Sequence, residues 1–325
     1  MSFSVLPGDL DVAIANWLQT QNGDMLRAKS GELTEKYREG RNSGHVDMAA
    51  YLTTRMPATY AAISRVLAEV SNVTPEFAPQ SMLDIGAGPG TASWAALQQW
   101  PEIASTTMID PDVRFVELAK SFAAQSGIPA LSSATITRAK LNETDAKADL
   151  VIAAYVFAEL VEKEAGQTAL KLWQQTKHML IIIEPGTPRG FARIKSARDN
   201  LIKAGAYMIG PCTHANDCPM TSGEWCRFTQ RLARSREHMH AKQATVSFED
   251  ENFSWIAVSR TAAKLPLARV IAPVENDKHS MTLKLCSADG LTTSQIARRN
   301  KAAYKRHRKL AWGHVITKNM EDQDA

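Results

Sequence analysis

The sequence is poor in cysteine: four in 325 residues, with no C-x2-C pair among them. That argues against a zinc ribbon. The C-x3-C-x2-C run of radical enzymes is also missing. No apolar run approaches the length needed to span a membrane, and Met179 to Ile183 has the length of a buried strand. The N-terminus, Met1 to Pro7, lacks both a basic region and a long apolar core, so no export signal is evident. A cytoplasmic location is therefore expected, with an organelle interior as the alternative, and no membrane partner. There is no internal repeat. With 44% hydrophobic and 22% charged residues, the composition is that of a soluble globular chain, expected to be a monomer with one large domain and additions.

A bias in charge is present, though the net value of +4 hides it. Residues 1–183 hold 15 Lys/Arg against 20 Asp/Glu, net −5; residues 184–325 hold 23 against 14, net +9. An anionic macromolecule, RNA first, would meet the second half.

The most informative stretch is Met82-Leu83-Asp84-Ile85-Gly86-Ala87-Gly88-Pro89-Gly90. An apolar run ends in an acid, a G-x-G-x-G loop follows, and Thr91 to Leu97 reads as a helix start. This is the first strand–loop–helix unit of a nucleotide-binding α/β domain. Thr91 stands where a dinucleotide fingerprint has its third glycine. Asp84 would face a ligand ammonium rather than a pyrophosphate. Both features suit S-adenosylmethionine, and the loop resembles motif I of class I methyltransferases. Thr106 to Asp110 ends a second strand 24 residues after Gly86, near the distance at which such folds place a carboxylate on the ribose. Asp110 is assigned to that role and Asp112 to capping the next helix. The cofactor candidates are Asp84, Gly86, Gly88, Gly90 and Asp110.

Strands and helices alternate from 82 to 184, which predicts a doubly wound parallel sheet. An N-terminal helical region over 1–80 precedes a cofactor-binding core over 81–205. A cysteine-rich and basic extension follows over 206–325. In the first region, 11–18, 25–37 and 47–70 read as helices, with Pro57 kinking or splitting the last. The fourth strand ends in Ala153-Ala154-Tyr155-Val156, not in the Asn-Pro-Pro-Tyr or Asp-Pro-Pro-Tyr of base-amine methyltransferases, nor in a Pro-Cys nucleophile. No catalytic residue is assigned. Methyl transfer from a sulfonium can run largely on proximity, so the blank does not exclude it.

The cysteines form one pattern, C-x5-C-x7-C-x59-C, at Cys212, Cys218, Cys226 and Cys286. Four thiolates suit an iron–sulfur cluster or a tetrahedral zinc, and spacing does not choose between them. Residues 228–242 read as a helix carrying Arg227, Arg231 and Arg234 along one side. Phe253 to Arg260 reads as a strand pairing with Ala268–Ile271 and Met281–Cys286, followed by a turn at Ser287–Gly290. Over 296–310, Arg298, Lys301, Lys305 and Arg308 make a helical stripe with no acid between them, suited to RNA phosphates.

Several of these segments together resemble the methyltransferase-like proteins of the mitochondrial small ribosomal subunit and their bacterial relatives. They are Tyr51–Tyr60, Leu83–Ala92, the Pro211–Phe228 cysteine loop, Cys286 with Asp289-Gly290, and Tyr304–Gly313. The resemblance implies a class I methyltransferase fold. It implies a 4Fe–4S cluster on Cys212, Cys218, Cys226 and Cys286, small-subunit rRNA as partner, and a role in ribosome assembly and translation. Two residues depart from the expected pattern: Arg227 stands in place of His, and His314 in place of Asp after Trp312-Gly313. The function expected is an S-adenosylmethionine-dependent methyltransferase-like protein acting on or binding that RNA. The alternative is a non-catalytic iron–sulfur assembly factor using the fold as an RNA-binding platform.

Overall fold

The computed structural model describes residues 5–19 and 47–318. The expected helix over 25–37 lies outside them. Helix α1 is Gly8–Gln19. The next helical path starts at Met48–Ala50, passes through a π-helical turn at Tyr51–Arg55, and becomes α2 over Met56–Val73. Pro57 falls in the first turn of α2, where a missing N–H leaves no bond unmade. The helix is thus divided as expected, and the division is a change of hydrogen-bond period. π turns of this kind gather at functional sites.

The central sheet contains eight strands: β1 (Ser81–Ile85), β2 (Ser105–Asp110), β3 (Thr135–Arg138), β4 (Ala148–Ala154), β5 (Thr176–Pro185), β6 (Tyr207–Gly210), β7 (Phe228–Ala233) and β8 (Phe248–Ser259). Its order is β3-β2-β1-β4-β5-β8-β6, with β7 also on β8. Strands β1 to β5 are parallel, while β8 runs antiparallel to β5, β6 and β7. This is a Rossmann-like methyltransferase fold. Ile181, Ile182 and Ile183 are fully buried, as strands covered on both faces require. One face packs against α2, α3 (Thr91–Gln99) and α4 (Val113–Ala124); the other packs against α5 (Ala165–Gln175) and α6 (Pro188–Lys203).

Two expectations fail here. Phe228–Ala233 is a strand, not the start of a helix, and only Arg236–Ala241 (α7) is helical. The edge of β8 needs a partner, and Arg231 pairs across it with Asp250 at 2.7 and 2.8 Å. Strand β8 also does not pair with Ala268–Ile271 or Met281–Cys286. Residues 253–259 are buried throughout, so β8 belongs inside the main sheet.

A second sheet holds β9 (Ala268–Val270), β10 (Glu275–Asn276), β11 (Ser280–Ser287), β12 (Gly290–Ala297) and β13 (Val315–Ile316). Strands β9 and β11 pair with each other and not with β8, the partner expected for both. The Ser287–Gly290 turn closes the β11–β12 hairpin, with Gly290 at φ +104. Helix α8 covers only Lys301–His307, capped by the Asn300 side chain. The basic segment therefore starts as strand, since β12 runs to Ala297 and Ile296 puts its side chain in the core of this sheet.

Candidate functional site

A cavity of about 840 Å³ opens beyond the carboxyl ends of β1, β2 and β4. Open α/β sheets bind ligands there. Gly86, Gly88 and Asp110 line it, together with Tyr51, Leu141 and Tyr155. The glycine loop is built for this place. Gly86 and Gly88 sit at φ +63 and +55, and a Cβ on Gly86 would stand 2.4 Å from Val156 Cγ2. Asp110 ties the loop down: its carboxylate accepts from the N–H groups of Gly88 and Asp112, both at 2.8 Å. Burial raises the Asp110 pKa from its ordinary value. Asp112 caps α4 through the Arg114 N–H, as expected.

Asp84 and Gly90 stand behind the cavity, not in it. Asp84 is buried and accepts from the backbone N–H and the hydroxyl of Ser93, at 3.0 and 2.8 Å. It fastens the loop to α3 and does not face the cavity. Burial pushes its carboxyl up to about 7. Gly90 packs toward Met108 and Trp94.

The sequence reading missed a charged network beside the cavity. The Arg55 guanidinium forms two bonds with the Glu251 carboxylate, at 3.1 and 3.2 Å, and the Tyr155 hydroxyl donates to the same carboxylate at 3.1 Å. All three residues are buried. Tyr155 sits at φ +63, a strained conformation for a residue with a side chain. Burial, then the Glu251 charge, hold its phenol well above its ordinary pKa. It is a fixed neutral wall, not a proton acceptor. The pointers in the sequence were the acidic run Glu249–Glu251 heading an apolar strand and the position of Arg55 within the Tyr51–Tyr60 segment.

The four cysteines come together. Cys212, Cys218 and Cys226 lie on the loop 211–227, and Cys286 comes from β11; all four are free thiols lining one enclosed space of about 40 Å³. Arg198 of α6 donates through Nε to Cys212 Sγ at 3.3 Å. Its Nη2 donates to the carbonyls of His214 and Asn216. Arg269 of β9 donates to the carbonyls of Pro211 and Gly313 and pairs with Glu69. Both arginines are buried against the thiols. Burial is the main cause that pushes Cys286 up to about 11. Among the described residues, no three His, Cys, Asp or Glu side chains are grouped as ligands of a single ion.

Of the basic stripe, Lys301 and Lys305 lie on α8, Arg298 precedes it, and Arg308 caps its end. All four are exposed, and the Arg298 guanidinium lies over the Tyr304 ring at 5.1 Å. In α6, by contrast, Arg193 and Arg198 are buried, so that helix does not present the basic surface its composition suggests.

Residues 45–317 match the family described as mitochondrial small ribosomal subunit Rsm22. The chain belongs to this family. Its relatives include the human mitochondrial ribosome assembly protein METTL17, 26% identical over 287 residues, covering 82% of this chain and 61% of that protein. The Rsm22-cox11 tandem protein 2 of Schizosaccharomyces pombe, also mitochondrial, is 25% identical over 328 residues and covers 82% and 42%. The chain thus spans less than two thirds of each relative's length. Among solved structures, magnesium protoporphyrin IX methyltransferase from Synechocystis with bound S-adenosylmethionine matches with a TM-score of 0.43 at 14% identity, covering 74% of this chain and 98% of that one. The cytoplasmic expectation is overturned, because the family and both relatives are mitochondrial by description. Among the described residues, no helix is long and apolar enough to cross a membrane.

Proposed function

We propose that this protein is a mitochondrial-type ribosome assembly factor that binds S-adenosylmethionine and small-subunit rRNA and holds a 4Fe–4S cluster. The carrying observation is the cavity at the switch point of the sheet, bounded by Gly86, Gly88 and Asp110. Asp110 would hold the ribose hydroxyls, and the glycine loop would lie against the rest of the cofactor. The bound cofactor supplies an electrophilic methyl group. Titration calorimetry tests this. S-adenosylmethionine should bind the wild type, and Gly88→Val should abolish binding, because φ +55 is closed to a β-branched residue. Binding that survives in the variant refutes the assignment.

The cysteine cage supports the cluster. Its four thiols, three from the loop 211–227 and one from β11, line one space and offer the all-thiolate donor set that such a cluster needs. The buried guanidinium groups of Arg198 and Arg269 suit an occupant of net negative charge. Anaerobically purified protein should contain iron and inorganic sulfide; one zinc without sulfide refutes this part.

A second reading, without catalysis, is favoured by Tyr155. Its hydroxyl is committed to Glu251 and its phenol is held neutral, so the fourth strand presents no base to an acceptor. Transfer of labelled methyl groups to small-subunit rRNA separates the two readings. The RNA itself is assigned to the exposed face of Arg298, Lys301, Lys305 and Arg308.

A further inference from the structure

We infer that Arg227, whose guanidinium lies over the rings of both Trp225 and Trp312, forms a separate binding site for one nucleotide of single-stranded RNA. The inference rests on the RNA-binding reading and places a contact that the basic stripe does not include. The Arg227 guanidinium lies 4.6 Å from the Trp225 ring centre and 5.5 Å from that of Trp312. Trp225 is itself fixed, donating its indole N–H to the Gly186 carbonyl at 3.0 Å. Two indoles therefore hold the planar fork in one orientation before any ligand arrives, which lowers the entropy lost on binding.

No ion pair neutralises that fork among the described residues, and its unpartnered nitrogens are not buried. The acids nearby are already engaged: Glu224 pairs with Lys284, and Glu69 with Arg269. A second arginine with no ion pair among the described residues reaches the same turn. Arg65 Nη2 lies 3.1 Å from where a Cβ on Gly313 would be, next to Trp312. Two guanidinium groups without carboxylates, beside half-buried indoles, have the chemistry for a phosphate and its base together. A surface arginine needing only solvation would not require two aromatic supports. Cys226 lies between Trp225 and Arg227, so ligation of the cage would also set the angle of this clamp.

The test is titration of the full chain with a short single-stranded oligoribonucleotide, followed by tryptophan fluorescence and by affinity. Binding should quench the wild type. Arg227→Lys keeps the charge but loses the fork and the stack. It should weaken binding roughly tenfold, the loss expected for one stacked base, and most of the quenching should disappear. Trp312→Phe should reduce the quenching with a smaller loss of affinity. A variant with Arg298, Lys301, Lys305 and Arg308 reversed to Glu should bind more weakly yet keep the quenching. Unchanged affinity and quenching in Arg227→Lys overturns the inference while leaving the RNA reading intact. Equal quenching by polyglutamate, which has charge without bases, overturns the nucleotide assignment. A wild type that binds no RNA at any salt concentration refutes the RNA reading itself, and this site with it.

Discussion

Replacing Glu184 with Gln should stabilise the protein at alkaline pH. Glu184 ends the apolar run of β5 and is fully buried. One oxygen accepts from the Phe157 N–H at 2.8 Å; the other is buried without a partner. Burial dominates and pushes the carboxyl from its ordinary 4.5 up to about 8, against smaller opposing effects of the Phe157 N–H and Arg193. The sign follows from comparing the two states. Below about 4.5 both the folded and the unfolded chain are protonated and Glu184 costs nothing. Between 4.5 and about 8 only the unfolded chain ionises, so stability falls as pH rises; above about 8 the penalty is complete. A displacement of this size corresponds to about 5 kcal/mol at full ionisation. Gln keeps an oxygen for the Phe157 N–H and cannot ionise. Urea unfolding across that window should show the variant several kcal/mol more stable than the wild type above pH 8, with the gap closing as pH falls toward 4.5. The comparison isolates Glu184 from Asp84, which titrates in the same direction in both proteins. A gap that stays constant with pH, or widens as pH falls, refutes the reasoning.

Other outcomes can be checked with the same material. Glu251→Gln should cost about 3–5 kcal/mol, because it breaks the buried ion pair with Arg55, whereas Tyr155→Phe should cost about 1 kcal/mol; equal losses in denaturant melts would refute the network. Reversing Arg298, Lys301, Lys305 and Arg308 to Glu should flatten the salt dependence of rRNA affinity by a slope of about 3. An unchanged slope would place the RNA elsewhere. Asp110→Ala should lose S-adenosylmethionine binding in calorimetry and also loosen the Gly88 loop. Full affinity in that variant would remove Asp110 from the cofactor site.

What the sequence made legible was the part governed by local rules. The Leu83–Gly90 loop, the Asp112 cap and the β11–β12 turn each depend on a few neighbouring residues, and each is found where it was expected. The buried strands β4 and β5 were legible from their continuous apolar runs. The misreadings share a cause. Phe228–Ala233 has spacing that fits a helix, and only the open edge of β8, fifteen or more residues later in the chain, makes it a strand. Likewise β8 was assigned to the nearest strands in sequence, although its burial on both faces belongs to a central position. Asp84 looked like a ligand because its spacing from the glycines is right. Nothing local told whether its carboxylate would turn toward the cavity or back to Ser93. The Arg55–Glu251 pair joins residues 196 positions apart, a separation that pattern does not reach.

The edge of β8 also changes what loss of the cysteine cage should do. Strand β6 pairs with the Ala257–Ser259 end of β8, and β7 pairs with Phe248–Phe253 on the same edge in the same direction. The loop 211–227 is therefore an excursion from what is otherwise one continuous edge strand, and the space it encloses is floored by Ser254, Trp255 and Ile256 of β8. The cage is thus part of the main sheet, whose strands extend well past Gly186. Cys286 differs from the other three in joining the second sheet to this excursion. Cys286→Ser should then free residues 260–318 to limited proteolysis and release iron, while Arg198 still anchors the loop through Cys212 and the carbonyls of His214 and Asn216. Arg198→Met removes the anchor itself. It should release iron as well and lower the stability of the main sheet by about 3 kcal/mol, the loss of several buried hydrogen bonds. Calorimetric melting with iron analysis distinguishes the two variants. If Arg198→Met keeps wild-type iron and melting, the loop does not depend on the Arg198 anchor. If Cys286→Ser melts as poorly as Arg198→Met, the second sheet is no separate unit, and both sheets depend on one cage.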